Sequence, residues 1–249
     1  MDNKSNEPLR TANYSGSYQR KLTGLEHLMN GNTVLPFHIA EFWQWAYSDM
    51  LRNTNRGVLA EFIVKAALEL GGIYTNNDIR SNFEPYDLVG PNIEHTYTSE
   101  LENSNTLEIL PCRIEVKSAA YIQAWEPHPG TVSRISFSIA PAKVPNEIGD
   151  YRPDAERQRN SDIYVFAIYT ATTKEQNIFD MNLWKFYVVK TSVLNEKCGE
   201  QKTLSLSKLK ALSSPERSFG ELCQAIKDAC TDISSNSKKD HPSSNSHAH

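Results

Sequence analysis

The segment Asp162 to Thr170 constrains the fold of this chain more than any other. Ile163, Val165 and Ala167 alternate there with Tyr164, Phe166 and Ile168, so a strand built from it is apolar on both faces. Such a strand is stable only when both faces are covered, which places it centrally in a sheet with other elements packed above and below. The chain must therefore be layered.

The layers are visible in the spacing of the apolar residues. Ile39, Phe42, Trp43, Ala46, Tyr47 and Met50 recur at helical intervals and predict an amphipathic helix over His38 to Leu51, with Phe42 and Trp43 on its core side. Asn53-Thr54-Asn55 supplies turn and N-cap chemistry for a second helix. Its stripe of Val58, Leu59, Phe62, Ile63, Ala66, Ala67 and Leu70 ends at Gly71-Gly72. Beyond Gly72 the period changes toward two. Strands are predicted at Ile73-Tyr74-Thr75, Tyr86 to Val89, Cys112 to Ser118, Ser133 to Ile139, Asp162 to Thr170 and Trp184 to Lys190. The polar stretch from Gly90 to Pro111 suits a loop or a protruding hairpin, and Asp154 to Asn160 a short helix. Ser218 with Glu221 forms a capping box for a helix through Ile233. Residues 1–35 are expected to be a polar segment with a short helix near Lys21 to Met29, 36–233 a single α/β domain with a mixed sheet, and 234–249 a solvated tail.

Composition excludes several classes. With 39% hydrophobic and 22% charged residues the chain is neither collagen-like nor wholly disordered. Its longest charge-free apolar stretch, Ile163 to Thr173, is too short to span a bilayer. The N-terminus lacks an apolar signal region, so a cytoplasmic location is expected. The four cysteines form no CxxC pair and no zinc spacing, and are expected to be reduced thiols. No GxxxxGK[ST], GxGxxG, GxSxG or HExxH motif occurs, so no nucleotide cofactor is expected. The net charge of −4 hides an asymmetry: Glu61 to Glu126 holds eleven acids against four bases, Lys65, Arg80, Arg113 and Lys117. An acidic third in a mildly basic remainder is compatible with a cation site facing a polyanion, and equally with an acidic loop.

Chemistry concentrates in Cys112-Arg113-Ile114-Glu115-Val116-Lys117-Ser118. On a strand, Glu115 and Lys117 share one face while Ile114 and Val116 line the other. Upstream, Pro85-Tyr86-Asp87-Leu88-Val89 puts one acid at the start of another short strand. If the two strands pair, Asp87 and Glu115 come within reach of one cation, with Lys117 beside them. Mg²⁺ is typically held by one or two carboxylates plus water and substrate phosphate oxygens. It activates water and neutralises charge on the transferring phosphoryl group. A neighbouring lysine orients the nucleophile, and desolvation is expected to lower its pKa toward proton transfer.

The sequence resembles the PD-(D/E)xK nuclease superfamily, whose fold is restriction-endonuclease-like. Asp87 corresponds to the first acid, Glu115 to the second and Lys117 to the lysine; Glu61 corresponds to the extra acid many members carry on the preceding helix. The order of elements from about Gly57 to Lys190 is similar to the family core. The match departs in two respects: Tyr86 stands where the motif has proline, and twenty-seven residues separate Asp87 from Glu115. The resemblance implies a Mg²⁺-dependent (or Mn²⁺-dependent) endonuclease acting on DNA, with Asp87, Glu115 and Glu61 as metal ligands. A role in restriction, phage defence or DNA repair follows by analogy, with a homodimer as one arrangement for cutting both strands.

Gln123, Arg134 and Lys143 are candidates for nucleic-acid contacts, together with Arg152, Arg157 and Arg159. Trp45, off the predicted core stripe, is a candidate for base stacking. Each principal residue also has an ordinary structural use. Glu115 and Lys117 suit a charged pair on an edge strand, Asp87 a turn after Pro85, and Glu61 a helical ion pair with Lys65. The competing functional class is a nucleic-acid-binding or assembly protein that keeps the fold without cleaving.

Overall fold

A computed structural model describes residues 21–73, 79–80, 85–99, 104–125, 132–143, 157–212 and 215–237. The chain divides into two compact units, Met1–Phe42 and Trp43–His249.

In the first unit, β1 (His27–Asn30) pairs antiparallel with β2 (Thr33–His38). The short helix expected near Lys21 to Met29 is not formed. Gly31-Asn32 explains why: Gly-Asn is a two-residue hairpin turn, and Gly31 takes the left-handed conformation at φ 60° that a tight turn demands, with Asn30 paired to Thr33. His27 and His38 face each other across the hairpin with ring centroids 4.0 Å apart. Helix α1 (Ile39–Tyr47) follows, with the His38 N–H donating to Glu41 at 2.6 Å. None of its residues is buried. The core role expected for Phe42 and Trp43 is therefore corrected: they are 44% and 36% exposed. Helical spacing identifies an apolar stripe; it does not supply a surface to cover it.

The second unit is built on a four-stranded mixed sheet of order β3-β4-β6-β7, where β3 is Leu88–Ser99, β4 Ser104–Ala120, β6 Ile163–Tyr169 and β7 Trp184–Lys190. The polar stretch after Gly90 is a long antiparallel β3–β4 hairpin. Its register shifts between Val89 and Asn92, where Pro91 has no N–H to give the ladder. Strand β6 runs parallel to β4 and antiparallel to β7, and all seven of its residues are buried, as its two apolar faces require.

The two faces carry separate cores. On one, Ile114, Val116, Val165, Ala167 and Phe186 pack with α2 (Asn53–Leu70) and α5 (Phe219–Ser237). On the other, Tyr164, Phe166 and Tyr187 pack with α3 (Thr191–Cys198), α4 (Leu206–Leu212) and the ribbon of β5 (Ser136–Ser138) with β8 (Thr203–Ser205). The sequence reading found neither α3, α4 nor β8. Of the strand expected at Ser133 to Ile139, only Ser136–Ser138 is formed. The helix expected at Asp154 to Asn160 is absent from residues 157–160, the part of it that is described, where Gln158 bridges Ala142 instead. The strand expected at Ile73-Tyr74-Thr75 lies largely outside the described residues. Half of the expected Ser218–Glu221 capping box forms: the Ser218 N–H and Oγ donate to Glu221 Oε2 at 2.9 and 2.6 Å, while the Glu221 N–H donates to the Ser218 carbonyl at 3.2 Å. Among the described residues no helix is long and apolar enough to cross a membrane.

Helices α2 and α5 meet where Gly71 ends α2. A Cβ added at Gly71 would lie 2.1 Å from the Cys223 sulfur, whereas one at Gly57, within α2, would meet nothing within 4 Å. Gly71→Ala is therefore expected to destabilise the protein by roughly 1–3 kcal/mol through overpacking. Gly57→Ala is expected to stabilise it by roughly 0.5–1 kcal/mol through reduced backbone freedom. Urea unfolding of the two variants tests this, and equal midpoint shifts would refute the packing account.

Candidate active site

Alternation along β4 decides where its charges go. Ile114 and Val116 enter the α2–α5 core, so Glu115 and Lys117 emerge on the opposite face, in register with Tyr164 and Phe166 of β6. They form an ion pair, Lys117 Nζ to Glu115 Oε1, with side chains 32% and 17% exposed. Asp87 immediately precedes β3. Its N–H donates to the Ile114 carbonyl at 3.0 Å, and its Oδ2 accepts from the Val116 N–H at 2.8 Å. The hairpin pairing thus ties the first acid onto the backbone of the strand that bears the second acid and the lysine. The structure brings these three residues together.

Electrostatics mark Asp87 further. Burial, then the neighbouring Glu115 charge, push its carboxyl up to about 7, against the pull of the Val116 N–H; Glu61 adds to the rise and Lys117 opposes it. Lys117 moves in the direction opposite to the one expected. Burial works against its charge, but Glu115 and Asp87 outweigh burial and raise its pKa. In this arrangement Lys117 is a held cation, not a base. The expected lowering failed because two carboxylates share the desolvated site with it.

Glu61, on α2, is buried and contributes to the field at Asp87. Its partner is not Lys65, which pairs with Glu69. Both of its oxygens accept from Arg80: Oε1 from Nη2 at 2.8 Å, Oε2 from Nε. Sequence reasoning missed Arg80 as a site residue, although it is one of the four bases in the acidic third.

A cavity of about 130 Å³ opens beside Glu115 and Lys117, lined also by Pro85, Ser138, Asn160 and Tyr164. Asn160 is on that lining, and its Oδ1 is buried with no hydrogen-bond partner among the described residues. Among the described residues no group of three or more His, Cys, Asp or Glu gathers into a metal cluster. What the site does offer is all oxygen: carboxylates at Asp87 and Glu115 and the orphaned Asn160 carbonyl. Hard donors, few in number, fit Mg²⁺, which keeps most of its coordination for water and phosphate.

The nucleic-acid candidates divide. Gln123 and Arg134 both line a second, larger cavity near the C-terminal end of β4. Lys143 lines neither cavity, and neither does Arg157. Arg159 lines the smaller one, but its guanidinium is engaged by the Ile139, Gly199 and Gln201 carbonyls and by Asn195 Oδ1, which makes it structural. Trp45 is 85% exposed on α1. Arg152 lies outside the described residues.

No family model and no curated protein matches this chain.

Proposed function

We propose that the chain is a Mg²⁺-dependent endonuclease of restriction-endonuclease-like fold that hydrolyses phosphodiester bonds of DNA. The observation that carries this reading is a single one. A carboxyl buried enough to hold its proton to about pH 7 is tied to the strand bearing Glu115 and Lys117, beside an open cavity. Strongly perturbed groups gathered at a cavity mark functional sites more often than structural ones.

In this reading Asp87, Glu115 and the Asn160 carbonyl hold the ion. Once bound, it supplies Lewis-acid stabilisation of the phosphoryl group and an activated water. Asp87 gives up its proton when a cation takes its place, so the site is prepared to exchange one for the other. Lys117, fixed by Glu115, presents a cation to the scissile phosphate and orients the attacking water. Glu61 joins only if Arg80 releases one of its oxygens, which places Arg80 as a positioning residue for the acid.

The competing reading, a non-catalytic nucleic-acid-binding or assembly protein, draws on the ion pairs themselves: Glu61 and Glu115 already have cations of this chain. Incubation with supercoiled plasmid and single-stranded DNA separates the two. Nicking that requires Mg²⁺ or Mn²⁺ and is lost in a folded Asp87→Ala variant is expected. DNA binding without metal-dependent cutting would favour the non-catalytic reading.

A further inference from the structure

The larger cavity has a volume of about 350 Å³ and shares no lining residue with the one beside Glu115 and Lys117. That volume is at the lower end of small-ligand sites, which run roughly 300–1,000 Å³. Asn53 and Arg56 from the start of α2 form one wall; Ser118 to Ala120 from the end of β4, Gln123 and Arg134 complete it.

Arg56 is the unusual member, at 3% exposed. Its Nη1 donates to the Leu51 carbonyl at 2.9 Å and to Gln123 Oε1 at 3.3 Å, and its Nη2 to Asn53 Oδ1 at 2.6 Å. All three acceptors are neutral. Among the described residues its buried Nε has no partner and no carboxylate pairs with the guanidinium. A buried cation without a counter-charge is costly, and burial alone disfavours its charge.

Among the described residues the other charged side chain on the lining, Arg134, has the same sign. Helix α2 is 18 residues long, yet its first turn contains no acid and its N-cap, Arg52, makes no side-chain cap. The nearest acid, Asp49, is held by the Leu51 N–H and by Arg52, so the positive end of the helix dipole adds to Arg56 where Asn53 and Arg56 meet the cavity. Arg134 stands exposed on the lining, and among the described residues no Asp or Glu lines the cavity. The missing charge is an anion.

We propose that this cavity is a phosphate-binding site in which Arg56 and Arg134 grip one phosphate oxyanion at the N-terminus of α2. Guanidinium groups present paired donors that match phosphate geometry, and the backbone amides of the helix start add to them. Resting on the nuclease reading, the phosphate belongs to the substrate strand. Strand β4 carries Lys117 and, about 10 Å further along, Ala120 at the cavity wall. Lys117 and Ala120 point to opposite faces of β4, but β5 contributes Ser136 to this cavity and Ser138 to the one beside Glu115 and Lys117, so a nucleic-acid strand gripped here and continued along β5 reaches the site of cutting with its register set by the cavity.

Calorimetric titration of the full chain in EDTA tests the proposal without cleavage. Inorganic phosphate is titrated first, with acetate at matched ionic strength as control, and then competed against a single-stranded oligonucleotide. Saturable phosphate binding is expected, weakened at least tenfold in Arg134→Ala, whose exposed side chain the core does not need. It should be lost in Arg56→Gln, with folding checked by circular dichroism; if that variant misfolds, Arg134→Ala alone decides. No saturable binding of phosphate, or affinity unchanged in Arg134→Ala, overturns the site. Phosphate binding that the oligonucleotide does not compete with overturns the substrate-strand assignment and leaves a site for free phosphate. Phosphate binding with these dependences in a protein that cuts no DNA would remove the nuclease reading and leave the cavity standing.

Discussion

Lys117→Ala is expected to lower the rate of metal-dependent DNA cleavage by about 100- to 1,000-fold, the usual cost of removing one preorganised group that stabilises transition-state charge. The side chain is about a third exposed and is held by Glu115 on a strand whose opposite face is core, so its removal takes no contact from that core, and circular dichroism checks the fold of the variant. Two further outcomes follow from its being a held cation. Lys117→Arg should recover part of the rate, because charge is retained. Substrate binding measured in Ca²⁺ should change little, because the interaction is made chiefly in the transition state. Single-turnover kinetics on a nicked-plasmid assay checks all three. Cleavage at the wild-type rate in Lys117→Ala would place the active site elsewhere.

Asp87→Asn is expected to make the protein more stable, on the order of 3 kcal/mol at pH 8, while abolishing metal-dependent activity. An unperturbed aspartate ionises near 3.8, and Asp87 holds its proton to about 7. Below pH 4 the folded and unfolded chains are both protonated at this residue, and the substitution gains nothing by this route. Between pH 4 and 7 the unfolded chain releases a proton that the folded chain keeps, so wild-type stability falls as pH rises. Above 7 the deficit is constant. Asparagine never ionises and still accepts from the Val116 N–H, so it escapes the deficit. Thermal unfolding at pH 4, 6 and 8 should show the two melting curves separating as pH rises. Mg²⁺ should then narrow the gap by binding only the wild type. A gap independent of pH would mean that Asp87 is an ordinary solvated acid. A gain in stability on removing a charged residue is what a site kept for function, at some expense to the fold, should show.

Much of this protein was legible without coordinates. The alternation in Ile163 to Tyr169 forced a central strand, and the strand expected at Trp184 to Lys190 is β7 to the residue. The stripe ending at Gly71-Gly72 is α2, although Arg52 rather than the Asn53 to Asn55 run stands at its N-cap. Alternation also put Glu115 and Lys117 on one face, because the direction of a side chain on a strand is a local property of the backbone.

Partners are not local. Period two assigns a residue to a face but does not name the strand that will lie alongside. Only the tertiary structure set β4 parallel to β6 and brought Asp87 onto Val116 across an intervening hairpin. Only it gave Glu61 to Arg80, although the sequence offered Lys65 at an equally suitable helical spacing. It left Phe42 and Trp43 exposed, because an amphipathic helix specifies what it would bury and not whether a matching surface exists. It raised the Lys117 pKa where desolvation alone would lower it, because the sign depends on which charges share the burial. The sequence by itself determined the layers and the faces of this protein. The tertiary structure decided which charges meet, because ion pairing and desolvation depend on distances between residues far apart along the chain.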